Sequence, residues 1–264
     1  MKVDKFRTVI IYIIIILLGL VCLLPLLNIV AISFSSSAAV EGNMVGLIPV
    51  GFSTAAYKKI LEDSQFWHSF LISVERVVLT LIINFVLIVL MAYPLSKTNA
   101  QFRGRNIYAN LMIFAMLFNG GMIPTFLLVK SYGLLNTVWA LVLPGAVPIF
   151  NVILVMNFFA AVPKELEEAA FIDGANPLQV LTKIFIPISK PVLTTVSLFS
   201  IVGSWNDFYS GLIYMSKATY YPLMTYIQSL QINVEDLIKQ GNLSAVVDSA
   251  SLGNTNLNAA KIVV

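Results

Sequence analysis

The chain has 264 residues, of which 58% are hydrophobic and only 11% are charged, and its formal net charge is +3. Soluble domains carry about 25% charged residues, so this composition excludes an ordinary soluble globular domain. The one cysteine, Cys22, excludes an internal disulfide framework. The positive charge is weak ground for a nucleic-acid partner, because membrane proteins concentrate Lys and Arg on their cytoplasmic loops, and we expect no nucleic-acid partner.

Long apolar runs follow one another along the chain. A run of about 20 residues crosses the roughly 30 Å hydrocarbon core of a bilayer as a helix. The sequence predicts five such spans and the first turns of a sixth, at about 9–33, 70–95, 107–130, 135–160, 191–215 and 255–264. The first run is too long for the apolar region of a signal peptide, so we expect an uncleaved span. The predicted fold is an all-α integral membrane protein, with residues 1–264 as a single transmembrane domain and a bundle of about six helices.

The distribution of Lys and Arg indicates the orientation of these spans. With the N-terminus in the cytoplasm, nine basic residues fall in inner segments and five in outer ones, although the outer loops at about 34–69 and 216–254 are the longer ones. The inner residues are Lys2, Lys5, Arg7, Lys97, Arg103, Arg105, Lys164, Lys183 and Lys190. The outer residues are Lys58, Lys59, Lys130, Lys217 and Lys239. Because cytoplasmic loops carry the excess, we expect a multi-pass protein with a cytoplasmic N-terminus.

A charged, turn-rich segment at 163–190 separates the fourth and fifth predicted spans. Pro163 suits the start of a helix, and the glutamates that follow it lie in the turns where the helix dipole favours negative charge. Gly174 can take the left-handed backbone conformation that ends a helix, and Asn176 with Pro177 is typical of the start of a second helix. The sequence therefore predicts two short helices that meet at a turn on the cytoplasmic side.

The spacing within this segment resembles a known family. Glu168-Ala-Ala is followed after three residues by Gly174, and after nine more by Ile-Phe-Ile-Pro187, which is similar to the cytoplasmic coupling loop of importer-type ABC transporter permeases. The fuller string from Pro163 to Ala175 resembles the carbohydrate-uptake branch, which contains the maltodextrin permeases. Weaker similarities are found in Ala92-Tyr-Pro-Leu-Ser96, Arg103-Gly-Arg105, Asn136-Thr-Val-Trp-Ala-Leu141, Phe150-Asn151 and Trp205-Asn-Asp-Phe208.

The resemblance implies a permease subunit in a bacterial plasma membrane, without an ATP site of its own. ATP and Mg²⁺ would bind to two separate ATPase subunits, and the chain lacks a G-x-x-x-x-G-K-[ST] phosphate loop. A homologous second permease subunit, an extracytoplasmic substrate-binding protein and an oligosaccharide substrate are also implied. The residues implied in ATPase docking are Glu168, Ala169, Ala170, Asp173 and Gly174. The family continues through a complete sixth span, so we expect the sequence to be incomplete at Val264.

Polar residues inside the predicted spans indicate a transport pathway, because an ionisable group within the membrane is costly. Asp207 lies roughly 23 Å beyond the cytoplasmic start of the fifth span, and Asn119 lies roughly 20 Å along the third. We predict a polar vestibule in the outer half of the membrane, formed by Asn119, Gly120, Trp205, Asn206 and Asp207. The alternative role for these residues is interhelical hydrogen bonding and close packing.

No catalytic or metal-binding residues are predicted. His68 precedes the second span and is expected at the membrane interface, while the adjacent Glu75 and Arg76 do not face each other on a helix and are interpreted as interfacial anchors. An ABC importer permease for a non-sugar solute, a secondary transporter and a membrane-embedded enzyme or scaffold are the alternatives. A secondary transporter would leave the coupling-loop spacing unexplained, and the sequence offers no nucleophile–base pair for an enzyme.

Overall fold

The structure is a computed structural model that describes residues 5–118 and 120–229, with side chains from Thr8 onwards. Within these ranges every regular element is a helix and no strand is present. The predicted all-α fold is therefore confirmed. Asn119 and the sixth span predicted at 255–264 lie outside the described residues.

The helices of the described ranges are labelled in chain order. They are α1 (Lys5–Ser33), α2 (Ser37–Glu41), α3 (Ala55–Glu62), α4 (Ser64–Leu95), α5 (Arg105–Leu117), α6 (Met122–Ser131), α7 (Val138–Val142), α8 (Ile149–Ala160), α9 (Lys164–Ile172), α10 (Pro177–Val180), α11 (Ile186–Ile188), α12 (Lys190–Asn206) and α13 (Tyr209–Tyr214). A π-helical segment, Leu181–Phe185, joins α10 to α11, 3-10 turns occupy Leu143–Gly145 and Ala218–Tyr220, and residues 223–229 are helical.

Two described helices are long and apolar enough to cross a membrane alone, namely Thr8–Ser33 within α1 and the whole of α4. With 32 residues, α4 is about 48 Å long and exceeds the roughly 30 Å hydrocarbon core. Three bent helix pairs would each form one further span, which brings the described total to as many as five. The pairs are α5 with α6, Val138–Gly145 with α8, and Pro177–Ile188 with α12.

Proline lies at two of the bends between paired helices. Val138–Gly145 meets α8 at 48°, with Pro148 directly before α8. Pro177–Ile188 meets α12 at 84°, and Pro191 lies in the first turn of α12. Proline lacks the backbone N–H of a helix interior and its ring clashes with the preceding turn, so the chain changes direction there.

The described residues form two compact units, of which the first ends at His68 and resumes at Tyr226. Within this unit the Asn28 amide donates a 2.7 Å hydrogen bond to the Gly46 carbonyl, which ties the loop after α2 to α1. The Tyr226 hydroxyl donates a 2.8 Å hydrogen bond to the Asp63 carboxylate. These polar contacts hold the segments on either side of α3.

The second unit, Ser69–Thr225, has an apolar core made by α4, α8 and α12. Its buried residues are Ile88, Val89, Ala92, Leu95, Met112, Val152, Val155, Phe159, Val162, Val180, Leu181, Phe185, Val192, Leu193 and Val196. Three of them, Val180, Leu181 and Phe185, belong to the segment that follows α9. The C-terminal half of the predicted coupling loop is therefore packed into the core of the spans.

Candidate functional site

The segment after α8 contains the two short helices that the sequence predicts. Helix α9 begins directly after Pro163, and Glu165 lies in its first turn. Gly174 has φ +81°, the left-handed conformation that a residue with a Cβ rarely adopts. Asn176 then caps α10: its side-chain oxygen accepts from the Gln179 backbone N–H at 2.8 Å, and the Gln179 side-chain oxygen accepts from the Asn176 backbone N–H at 2.9 Å. The predicted turn and both helix starts are confirmed.

Helix α9 presents one face to solvent and the other to the core. Glu168, Ala169 and Asp173 are exposed, and the Glu168 and Asp173 carboxylates form no hydrogen bond with any described residue. Ala170 is half-buried and packs against the core. Apolar side chains also point outward from this region, and Ile172 is 87% exposed. The exposed side of α9 thus combines free carboxylates with small and apolar groups.

Glu167 attaches the inward face of α9 to the end of α4. Its two carboxylate oxygens each accept a 2.7 Å hydrogen bond from the Lys97 ammonium, and both side chains are nearly buried, with exposures of 12% for Lys97 and 11% for Glu167. The Lys97 Nζ also lies 4.1 Å from the centre of the Tyr93 ring and 4.2 Å from that of Phe185. Burial lowers the pKa of Lys97 below its ordinary value, and the hydrogen bond and charge of Glu167 oppose that shift.

A concavity of about 480 Å³ lies between the two short helices. Ala170, Asp173, Gly174, Gln179 and Lys183 are among its lining residues. Three of the predicted docking residues therefore border one depression, while Glu168 and Ala169 lie on the adjoining exposed face of α9. A protein surface that binds here would contact a helix, a turn and a second helix together.

A second, polar cavity of about 280 Å³ lies among α4, α7, α8 and α12. Its polar lining residues include Arg76, Thr80, Asn84, Ser200 and Asp207. The Arg76 guanidinium is buried at 3% exposure and donates to the Asp207 backbone carbonyl at 2.8 Å and to its carboxylate. The same carboxylate accepts a 2.6 Å hydrogen bond from the Ser210 hydroxyl. The pair joins α4 to the residue at which α12 ends.

Three polar atoms on α4 have no hydrogen-bond partner among the described residues. They are the Nε of Arg76, the Oγ1 of Thr80 and the Oδ1 of Asn84, and all three residues are buried. The residues are spaced four apart, so they form one row along the helix, and each of them lines the polar cavity. A buried donor or acceptor without a partner costs about 1–3 kcal/mol.

The residues predicted to line the vestibule are not brought together. Asp207 lines the polar cavity, whereas Gly120, Trp205 and Asn206 do not. Trp205 packs edge-on against Phe70, and the exposed Asn206 donates to the Val202 carbonyl at 2.9 Å. Successive residues of a helix point about 100° apart, so neighbours of Ser204 and Asp207 in the sequence face other directions. Asn119 lies outside the described residues.

The sequence interpretation missed the partners of the two ion pairs. Arg76 is not an exposed interfacial anchor, because it is buried and paired with Asp207. The available signal was the row of Arg76, Thr80 and Asn84 at intervals of four, within a part of α4 that is otherwise apolar from Arg76 to Met91. The pairing of Lys97 with Glu167 spans 70 positions and has no comparable local signal.

Comparison with known proteins places this architecture in one family. The family described as "Binding-protein-dependent transport system inner membrane component" matches residues 78–247. Protein LplC of Bacillus subtilis is 42% identical over 214 residues, which cover 81% of this chain and 72% of that protein. The polygalacturonan/rhamnogalacturonan transport system permease protein YtcP of the same organism is 37% identical over 261 residues, which cover 99% of this chain and 90% of that protein.

A solved structure agrees with these sequence matches. The crystal structure of a bacterial ABC transporter involved in the import of the acidic polysaccharide alginate has a chain that is 32% identical, with a TM-score of 0.86. The match covers 100% of this chain and 92% of that one. Both the sequence and the fold therefore identify this chain as a member of the binding-protein-dependent transport system inner membrane components.

Proposed function

We propose that this chain is one permease subunit of a bacterial ABC importer for an oligosaccharide, and that α9 couples transport to ATP hydrolysis on separate ATPase subunits. The observation that carries the proposal is the exposed side of α9, with its free carboxylates and its apolar Ile172, next to the concavity that Gly174 helps to line. Several exposed apolar side chains close together outside the predicted spans favour a protein partner, and here they are Leu166, Phe171, Ile172 and Leu178. The concavity can accept a projection from an ATPase subunit.

The sugar substrate is supported by the names of similar proteins. YtcP is a polygalacturonan/rhamnogalacturonan permease, and a Streptococcus mutans protein 30% identical over 207 residues is the multiple sugar-binding transport system permease protein MsmG. An arginine–aspartate pair with hydroxyl and amide groups in one cavity suits a ligand rich in hydroxyl groups. An importer for a non-sugar solute is the second candidate, because the exposed face of α9 supports an ATPase partner and carries no information about the solute.

The proposal includes the partners that such an importer needs. A homologous second permease subunit would complete the pathway, and two ATPase subunits with bound ATP and Mg²⁺ would drive it from the cytoplasm. An extracytoplasmic binding protein would deliver the sugar. The polar outer loop at 216–254 is the candidate for its contact with the permease, and 230–254 of that loop lie outside the described residues. This arrangement puts the N-terminus and α9 on the cytoplasmic side of a bacterial plasma membrane.

Copurification tests the proposal directly. An affinity-tagged full chain, extracted from its native membrane, should bring down a second permease chain and an ATPase, which mass spectrometry would identify. Glu168→Lys reverses a charge on the exposed face of α9 and should reduce ATPase recovery by about tenfold, as expected when a charge contact at an interface becomes repulsive. Recovery of the second permease should not change.

The matched control is Glu62→Lys, which makes the same substitution on an exposed residue at the end of α3 and should leave ATPase recovery unchanged. A wild-type preparation that carries no ATPase, and whose uptake follows an ion gradient, would replace this proposal with a secondary transporter.

Single cysteines in a Cys22→Ala background should establish the orientation. We expect a membrane-impermeant maleimide added to intact spheroplasts to label position 58 and to label positions 103 and 168 only after permeabilisation. Lys58, Arg103 and Glu168 are all exposed, so access to the side chain does not limit the reaction at any of them. Labelling of position 168 from outside would contradict both the cytoplasmic N-terminus and ATPase docking on α9.

A further inference from the structure

The row of polar residues on α4 contains hydrogen-bonding groups that no described residue satisfies. In the described part of the chain, the Arg76 Nε, the Thr80 hydroxyl and the Asn84 carbonyl oxygen have no hydrogen-bond partner. Exposures of 3%, 7% and 4% mean that bulk water does not satisfy these groups freely. A folded protein normally pairs its buried polar atoms, so a row of three facing one cavity indicates a ligand or ordered water there.

The three groups differ in hydrogen-bonding type. The Arg76 Nε can only donate, the Asn84 Oδ1 can only accept, and the Thr80 hydroxyl can do either. Residues four apart on a helix are separated by about 6 Å along its axis, so the row has a length of about 12 Å. A molecule with several hydroxyl groups, each both donor and acceptor, can satisfy all three positions. Phe199 and Pro144 line other parts of the cavity and offer it apolar surface.

The cavity carries no uncompensated charge. Each terminal nitrogen of Arg76 donates one hydrogen bond to Asp207, and the Asp207 carboxylate also accepts from the Ser210 hydroxyl at 2.6 Å and from the Ser210 backbone N–H at 3.2 Å. The other lining residues are uncharged. A carboxylate brought into this space would therefore have to compete with Asp207 for the guanidinium or remain buried without a counter-charge, which is unfavourable.

We infer that this cavity is a binding subsite for an uncharged, hydroxyl-bearing sugar unit, contacted by Arg76, Thr80 and Asn84. The inference rests on the proposed importer function and specifies the kind of sugar unit that binds in this cavity. A volume of about 280 Å³ lies just below the range of about 300–1,000 Å³ typical of pockets for larger ligands, so the subsite takes one sugar unit rather than a whole oligosaccharide.

Thr80→Val tests the subsite, because it replaces a hydroxyl with a methyl group of similar shape. The KM for sugar uptake by the whole transporter should rise by about fivefold, as expected for the loss of one hydrogen bond between neutral groups. Thermal stability of the purified complex should stay the same or rise, because the substitution removes a buried hydroxyl that has no partner among the described residues. A purely structural Thr80 would leave KM unchanged, and that result would overturn the subsite.

Thr195→Val is the matched control. Thr195 is exposed on α12, outside the cavity lining, and its hydroxyl donates to the Pro191 carbonyl at 2.9 Å. We expect no change in KM for this variant. If both threonine variants leave KM unchanged while ATPase subunits still copurify with the chain, the subsite is wrong and the importer function stands. If no ATPase copurifies, the importer function itself is contradicted, and so is the subsite that rests on it.

The charge of the ligand is tested with radiolabelled trisaccharides offered to the whole transporter with its binding protein. Xylotriose, maltotriose and arabinotriose are the neutral probes, and trigalacturonate and trimannuronate are the acidic ones. We expect uptake of at least one neutral probe, with the KM of that probe raised by Thr80→Val. Uptake confined to the acidic probes, or no uptake of any neutral probe, would overturn an uncharged ligand.

Discussion

Gly174→Val should reduce sugar uptake by about tenfold or more while the permease remains inserted in the membrane. Gly174 has φ +81°, and a branched side chain in such a conformation costs about 1–3 kcal/mol, which is relieved only if the turn between α9 and α10 changes shape. Among the described residues, no atom beyond Gly174 and its two chain neighbours lies within 4 Å of the position that a Cβ would take, so a steric clash does not contribute. Uptake, ATPase activity and copurification of ATPase subunits are the measurements.

Gly133→Val is the matched control for this prediction. Gly133 also has a positive φ, +68°, also has open space around the added Cβ, and follows α6 rather than α9. The same backbone strain is therefore introduced away from the coupling loop, and we expect ATPase recovery to stay at the wild-type level. Equal losses of ATPase recovery in both variants would indicate general destabilisation, whereas normal uptake by Gly174→Val would contradict the role of this turn in coupling.

Glu167→Gln should destabilise the attachment of α9 by about 3–5 kcal/mol, because it leaves the Lys97 ammonium largely buried without its counter-charge. Lys97 is held between the Tyr93 and Phe185 rings and cannot turn towards solvent without losing both contacts. The expected outcome is ATP hydrolysis that no longer drives uptake, together with a lower unfolding temperature of the complex. Both are measured on the purified transporter in lipid.

The double variant Lys97→Met with Glu167→Leu distinguishes charge from packing. Replacement of a buried ion pair by apolar residues of similar volume is often neutral, so the unfolding temperature should recover relative to Glu167→Gln. Glu165→Gln, an exposed change on the same helix, serves as the control and should alter stability by less than about 0.5 kcal/mol. If Glu167→Gln behaves like Glu165→Gln, the Lys97–Glu167 pair does not hold α9 in place.

Local chemistry made the two short helices of the segment at 163–190 predictable from the sequence. A glycine separated from the Glu-Ala-Ala string by three residues, and an Asn-Pro pair shortly after it, have few conformations compatible with a short connection. Gly174 and Asn176 adopt the expected ones. The apolar runs were equally informative, since length and composition alone identify helices able to cross a membrane.

Contacts between distant parts of the chain could not be predicted in this way. Arg76 and Asp207 are 131 positions apart, and the polar row on the helix that carries Arg76 indicates a shared face but does not identify its partner. The prediction of a vestibule around Asp207 relied on depth along each span. Depth fixes how far a residue lies across the membrane but not the direction in which its side chain points. Direction is set by the packing of helices, which decides that Asp207 lines the cavity and Asn206 does not.

One helix connects both candidate sites. Between Arg76, at the polar cavity, and Tyr93, whose hydroxyl lies 3.5 Å from the Glu167 carboxylate, α4 contains no proline or glycine and spans about 26 Å. A stiff helix transmits displacement from one end to the other, so α4 would couple the proposed sugar subsite to the proposed ATPase contact. Thermodynamic linkage then requires reciprocity: whatever factor ATPase docking applies to sugar affinity, sugar binding applies the same factor to docking.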